Sequence, residues 1–420
     1  MTLPRDGRTV LSVYVRTEST MPQWAEYSTG ERIKMLRGRE IKQAQLAEMT
    51  GLSIVTIQKA EQDRALSLPT LLAVADALSV DTSVILGQQA PRRAMAQTER
   101  TTMRRISNAV HDVAAGCVPS TSVPLTLPDL DKATRAAWRH YWTGDYVELG
   151  AVLVPLLADA AVTVREADGD QRARALALLS DAYQIAACCA NLLGARDLAY
   201  AAVGHARRAA ERGEDELRAA RIDSVRAWVY MRDGRLTDSL ELSQRAAARV
   251  EPRYSDATPQ LLTVYGNLLT HCAVTAARLE RHDVSDYLSQ VHAVGARLGR
   301  EHDFHGARFG PTTATTQAVG ISVTTGQAGK ALKLAGSVAT DRLGTLAVAA
   351  RNRYKLDLSL AQADARMWDA SLDTLEETIL AAPQWSRHQA LPGIILERVG
   401  RASTARLRRV SRLMGTAMHH

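Results

Sequence analysis

The sequence predicts an all-α protein in two parts, a small bundle of short helices followed by a solenoid of helical hairpins. Three observations lead there. The composition favours helix: alanine is abundant, while phenylalanine occurs only twice in 420 residues, and alanine has the highest intrinsic helix propensity. Six segments in order look like versions of one helix–turn–helix unit. Residues 29–87 pack several short amphipathic runs around a single sharp turn at Gly51.

Four segments follow in chain order. Residues 1–28 show no period and read as a loose extension. Residues 29–90 form the small bundle. Residues 91–128 read as a basic linker, in part helical, ending in "GCVPSTSVPLTLPDL", where Pro119, Pro124 and Pro128 forbid a continuous helix. Residues 129–420 carry the hairpins. The repeated units are "YWTGDYVELG", "NLLGARDLAYAA", "YMRDGRLTDSLELS", "RLERHDVSDYLSQ", "VTTGQAGKALKLAG" and "ARMWDASLDTLEE". Their turns fall near Gly144, Gly194, Gly234, His282, Gly326 and Met367, roughly 40 to 50 residues apart, the period of a helical solenoid. Ala137, Ala187, Ala227 and Ala331 are small enough to let paired helices approach closely.

Charge and cysteine use narrow the function classes. The net charge is +7, but residues 29–90 are neutral. The excess sits in residues 91–112, at +3, and in residues 397–420, at +5. Four cysteines, Cys117, Cys188, Cys189 and Cys272, have neither a disulfide nor a metal spacing and read as small buried hydrophobes in a reducing compartment. The N-terminus shows no signal-peptide core, and the apolar run Ala151 to Val164 is too short for a bilayer. A soluble, cytoplasmic, nucleoid-associated protein is expected, with no membrane partner.

Within the bundle, "TGERIKMLRGRE" places Ile33 and Leu36 on one face, with Thr29 as a cap. In "QLAEMTGLSIVTIQKAEQ" Leu46 is buried and Ala47 is small because the next helix crosses it. Gly51 sits where the chain reverses, Leu52 plugs the core and Ser53 caps the next helix. Ile57 and Ala60 face inward. Leu71, Leu72, Ala75, Leu78 and Leu86 complete the core. Ile54, Val55, Gln58, Lys59 and Gln62 are left outside. An Ile–Val pair on a bare surface is out of place, but in a major groove it packs on thymine methyls. Gln58 pairs with adenine, and Lys59 with guanine or a phosphate. Gln43, opening the first helix of the motif, suits a phosphate.

This stretch resembles the Cro and lambda-repressor type of helix-turn-helix domain, the XRE family. The resemblance rests on Gln43, Leu46-Ala47, Gly51, Ser53, Thr56-Ile57 and Glu61, followed by "LPTLLAVADALSVD". The family's recognition helix corresponds to Ser53–Gln62, which adds Ser53 and Thr56 to the expected DNA-contacting residues. The family often has Gly where this chain has Asp63, and Asp tolerates the left-handed conformation. The resemblance implies a regulator that binds a palindromic operator in double-stranded DNA as a homodimer. The bundle's neutrality leaves its affinity to depend on the Arg92, Arg93, Arg104 and Arg105 cluster and on dimerisation.

The hairpins resemble degenerate tetratricopeptide repeats, and the combination resembles a class of actinobacterial regulators, with "FGPT" opening a repeat. Pro311 fits the first turn of a helix; the family's following Asn is Thr313 here. The resemblance implies a groove that takes a peptide or small-molecule effector, and inner-helix positions suggest Gln184, Asn191, Trp228 and Arg232 as its lining. The alternative is a scaffold whose repeats dock a partner protein. No catalytic residues, cofactor or metal site is expected. His302 and His305 in "EHDFHG" read as surface histidines rather than metal ligands, and His271 as a core contact.

Overall fold

The computed structural model describes residues 24, 27–38, 41–64, 66–78, 80, 82–87, 97–118, 125–253, 257–400 and 410. Pro119, Pro124, Arg92, Arg93 and the arginines after residue 400 lie outside them. The described residues are all-α apart from one two-stranded hairpin. The first bundle comprises α1 (Thr29–Arg37), α2 (Gln43–Thr50), α3 (Ile54–Glu61), α4 (Leu68–Ala77) and α5 (Thr82–Ile85). Ile33, Leu46, Ile57, Leu71, Val74 and Ile85 are fully buried at its centre.

Helix α6 (Gln97–Ala114) occupies much of the segment read as linker. It packs on the repeats rather than bridging to them. Ile106 and Val110 are fully buried, and a Cβ at Gly150 in the next hairpin would overlap the Thr102 methyl.

The hairpins follow: α7 (Leu127–Thr143) with α8 (Tyr146–Glu166), α9 (Gly169–Leu192) with α10 (Arg196–Arg212), α11 (Glu216–Arg232) with α12 (Leu236–Arg249), and α13 (Pro259–Arg278) with α14 (Val284–Leu298). After strands β1 (His302–Phe304) and β2 (Ala307–Phe309) come α15 (Pro311–Thr324) with α16 (Ala328–Gly336). The short α17 (Thr340–Leu343) leads to α18 (Val348–Asp364) with α19 (Trp368–Ala381), then α20 (Pro383–Arg387) and α21 (Leu391–Val399).

All six turns use one device. Each first helix ends at a left-handed residue: Gly144, Gly194, Gly234, Glu280, Gly326 and Arg366. The next N–H then reaches back five residues, as in Asp145 to His140, Arg281 to Ala276 and Met367 to Gln362, with bonds of 3.0, 3.0 and 2.8 Å. The turns expected at His282 and Met367 therefore pivot at Glu280 and Arg366, one or two residues earlier. Ala137, Ala187, Ala227 and Ala331 are fully buried where helices meet. Buried serines bridge the same seams: Ser239 Oγ donates to the Ala227 carbonyl and Ser359 Oγ to that of Ser371, both at 2.8 Å.

The last hairpin returns to the first. Helix α18 contacts α7, Trp385 lies against Gly144, and the Tyr146 and His388 rings stand edge-on at 5.7 Å. The β-hairpin reaches into the interior thus formed. The His305 carbonyl accepts from Gln184 Nε2 at 3.0 Å, and the Gly306 carbonyl from Arg221 Nη2 at 3.3 Å. Gly306 sits so close to Trp138 that a Cβ would overlap the indole. His305 is thus half-buried rather than a solvated surface residue; its Nδ1 lies 3.5 Å from Asp181 Oδ2. Pro311 occupies the first turn of α15 as expected. Glu301 caps that helix, accepting from the Thr312 and Thr313 N–H groups at 2.9 and 3.1 Å and from the Thr313 hydroxyl at 2.6 Å.

Helices α8 and α9 are long and apolar enough to cross a membrane, but half of the apolar stretch of α8 and 89% of that of α9 are buried in the protein, as suits core helices. Cys188, Cys189 and Cys272 are buried as expected; Cys117 is exposed.

Phe309 anchors the hairpin. It is fully buried, and a Cβ at Gly266 would collide with its ring. Phe309→Ala is expected to cost about 3–5 kcal/mol in urea denaturation of the full chain.

Candidate nucleic-acid interface

The α2–α3 unit is built from local bonds. Gly51 adopts φ 66°, where a side chain would be strained, and Leu52 N–H closes the turn onto the Ala47 carbonyl at 3.1 Å. Ser53 caps α3, its Oγ accepting from the Thr56 N–H at 3.1 Å. Ile57 and Ala60 point into the core. That orientation turns the other face outward: Ile54 and Val55 are 43% and 52% exposed. Ser53, Lys59 and Gln62 are also exposed, and Thr56 and Gln58 half-buried.

Behind this face lies a network the sequence reading did not contain. Arg37 grips Glu61 with two bonds, Nε to Oε1 at 2.6 Å and Nη2 to Oε2 at 3.2 Å. Its Nη1 also donates to the Ile41 carbonyl at 2.6 Å. Gln43 Nε2 donates to the same carboxylate at 2.7 Å. One Gln43 amide proton is therefore committed to Glu61, and the second is left for an outside acceptor. The Glu61 side chain is only 4% exposed, so Arg37 neutralises an acidic group that would otherwise repel a phosphate. No local pattern in the sequence signals it, since Arg37 and Glu61 stand 24 residues apart.

The end of α3 is tied to α1. Asp63 takes φ 56° in the position where the family often has Gly. Its carboxylate accepts from the Gly30 N–H at 2.6 Å and from the Ser28 hydroxyl at 2.5 Å. Gly30 is required by proximity, since a Cβ there would lie 2.5 Å from the Glu61 carbonyl oxygen. The cap of α1 is Ser28 rather than Thr29. Ser28 Oγ accepts from Glu31 N–H and Glu31 Oε2 accepts from Ser28 N–H, at 3.1 and 2.7 Å. Thr29 instead donates to Glu397 Oε1 of α21 at 2.5 Å, tying the bundle to the last helix.

The bundle's opposite side covers the interior of the repeats. Leu68, Pro69, Leu72 and Asp76 of α4 form one wall of a cavity of about 620 Å³, and inner helices of the hairpins form the rest. Leu72, read as bundle core, belongs to this wall. No residue of α3 lines it. Of the four groove residues suggested by sequence, Trp228 and Arg232 line the cavity, the guanidinium 6.0 Å from the ring centre. Gln184 and Asn191 do not. Gln184 holds the β-hairpin, and Asn191 Oδ1 accepts from Arg196 in the α9–α10 turn. Arg221, Asn267, His271, Arg278, Gln317 and Arg353 line the cavity and were not anticipated. Their signal was polar residues on the inner faces of otherwise apolar helices.

Two consequences are measurable. Arg37→Ala leaves the buried Glu61 carboxylate uncompensated and is expected to destabilise the bundle by about 3 kcal/mol, read by chemical denaturation. His271 is pushed down to about 3 by burial and by the neighbouring Arg221 and Arg278 cations. The unfolded chain binds this proton near pH 6.5 and the folded chain does not. Stability from His271 is therefore complete above pH 6.5 and declines as pH falls. Wild type is expected to lose up to about 3 kcal/mol more than His271→Asn between pH 6.5 and pH 4, compared by urea titrations at each pH.

Comparison with known proteins bears on the bundle alone. No curated protein and no solved structure matches the chain. Residues 33–85 match a family model described as Helix-turn-helix. The match runs from within α1 to the end of α5 and contains the turn at Gly51, so this bundle carries a helix-turn-helix unit of the XRE type, which supports DNA binding.

Proposed function

We propose that the protein is a sequence-specific transcriptional regulator. It acts in the cytoplasm as a homodimer on palindromic double-stranded DNA, and it has no enzymatic activity. Its tetratricopeptide-like repeats supply the dimer contact and a site for a peptide or small-molecule effector. The observation that carries this reading is the exposed Ile54–Val55 pair at the start of α3, a helix whose Ile57 and Ala60 are buried. Exposed neighbouring β-branched residues have no structural use there. In a major groove they cover thymine methyls, which no phosphate-only binder needs.

The remaining face divides by reach. Gln58, one helical turn on, pairs with an adenine edge, and Lys59 takes guanine or a phosphate. Gln62 lies a turn further along the same side. Ser53 and Thr56 at the helix start and Gln43 at the start of α2 lie where the backbone passes, and Gln43's second amide proton serves a phosphate oxygen. One such helix reads few base pairs, so two copies on half-sites about 34 Å apart are needed for useful specificity. The scaffold alternative is less well supported. The interior of the repeats is covered by α4 and entered by the β-hairpin, which leaves little open groove for a partner's helix.

The test is quantitative. Ile54→Ala with Val55→Ala is expected to weaken binding to the cognate operator by about 1–3 kcal/mol per lost base contact, with nonspecific binding nearly unchanged. The operator comes from genome-wide mapping of bound DNA with Gln58→Ala as control. Equal loss of both affinities by the double variant would remove the base-reading role.

A further inference from the structure

We infer that the cavity between α4 and the repeats is an anion-binding site for a small ligand that joins a carboxylate or phosphate group to an apolar, ring-sized body. This deepens the effector part of the function proposed above. It rests on the chemistry of the cavity wall, which holds four guanidinium groups, Arg221, Arg232, Arg278 and Arg353, against the carboxylates of Asp76 and Glu280.

The four arginines are not equivalent. Arg353 is matched, its Nε 3.2 Å from both oxygens of Asp357. Arg232 lies over the Trp228 ring. Arg221 is 7% exposed; its Nη1 meets the Ser224 hydroxyl at 2.5 Å and its Nη2 the Gly306 carbonyl, but it faces no carboxylate in an ion pair among the described residues. Its Nε is buried with no hydrogen-bond partner among them. Arg278 has a buried Nε in the same condition and no ion pair among the described residues. Asp181 acts on Arg221 and Asp357 on Arg278 without forming an ion pair with either. A buried guanidinium that no carboxylate contacts directly is costly, and a bound anion would offset that cost. Crowding by Arg353 and Arg232, added to burial, brings Arg278 down to about 10. It still carries its charge at neutral pH, so the local repulsion is real.

The planar fork of a guanidinium matches the paired oxygens of a carboxylate or phosphate. Asn267 adds a buried side-chain carbonyl with no partner among the described residues, an acceptor for a ligand hydroxyl or amide. The volume falls within the roughly 300–1,000 Å³ range of small-molecule sites. Trp142, Trp228 and Leu72 provide the apolar surface for the body. Because Leu72 belongs to the DNA-binding bundle and the arginines to the repeats, a bound ligand touches both.

The test uses the full chain. Thermal melting is followed with phenyl phosphate, 3-phenylpropionate and inorganic phosphate, each at ionic strength matched with sodium chloride. Both aryl anions are expected to raise the Tm saturably, and inorganic phosphate less. Arg278→Gln is expected to weaken aryl-anion binding at least tenfold while melting no lower than wild type without anion, because it relieves like-charge crowding. A purely structural arginine would instead lower the Tm. Arg278→Lys, which keeps charge but loses the fork, is expected to fall between the two and serves if the glutamine variant does not fold. Aryl anions that act no differently from chloride, or full binding by Arg278→Gln, overturn the assignment. Saturable anion binding in a protein that shows no sequence-specific DNA binding leaves the assignment standing and overturns the regulator reading.

Discussion

Reversing a helix without exposing its last carbonyls is the constraint on which this architecture depends. A helix end leaves backbone acceptors that must find partners. Here a single left-handed residue lets the next N–H reach back five positions and satisfy one of them. The device closes all six hairpins, and it also ends α2 at Gly51 and α3 at Asp63. Since each turn consumes only a few residues, paired helices lie side by side, and their seams must be lined by alanine, glycine and serine. The reader and the repeats thus obey the same local rule, although they do different work.

A two-helix hairpin cannot bury both of its faces alone, so each one stacks on the next. Stacking settles the outer contacts and leaves the inner faces to be covered by other means. Three elements do this. The last hairpin returns to the first through Trp385 and His388, the β-hairpin brings its turn to Trp138 and Gln184, and α4 covers what remains. Polar inner residues are satisfied where these elements reach them, as with Gln184 Nε2 and Asp181. The match is incomplete even there: Arg221 Nη2 meets the Gly306 carbonyl while its Nε, like Gln184 Oε1 and Arg278 Nε, has no hydrogen-bond partner among the described residues.

The sequence made the repeating frame legible where glycine marks it. Gly144, Gly194, Gly234 and Gly326 pivot as read, because glycine advertises the left-handed conformation. Glu280 and Arg366 adopt it without advertising it, and there the reading slipped toward His282 and Met367. Helix α6 was obscured by its charge: Arg104 and Arg105 are exposed while Ile106 and Val110 are buried. Helical period placed Val55 outward, opposite Ile57 and Ala60, whereas Ile54, three residues before Ile57, lies on the flank and its 43% exposure comes from the structure. The Arg37–Glu61–Gln43 network and the arginine cavity were not legible. Both join residues distant in sequence, and charge spacing along one chain does not report such meetings. The β-hairpin failed for a related reason: three-residue strands held by contacts to α9 and α11 carry almost no local signal of their own.

Helix α4 connects the two halves of the molecule because its two faces answer to different partners. Leu71, Val74 and Ala75 lock it into the core that also holds Ile57 of α3. Leu68, Leu72 and Asp76 face the cavity, with Asp76 resting over Gly234 at the α11–α12 turn. Packed cores pass a rigid shift on rather than absorbing it, since they have little free volume. Any rearrangement that moves α4 against the repeats therefore moves α3 by a similar amount. Such a movement changes DNA affinity only to the extent that a bound species favours one placement of α4 over another. A wall shared between the bundle and the repeats allows such a difference, because contacts that would hold a ligand there also set the position of the helix.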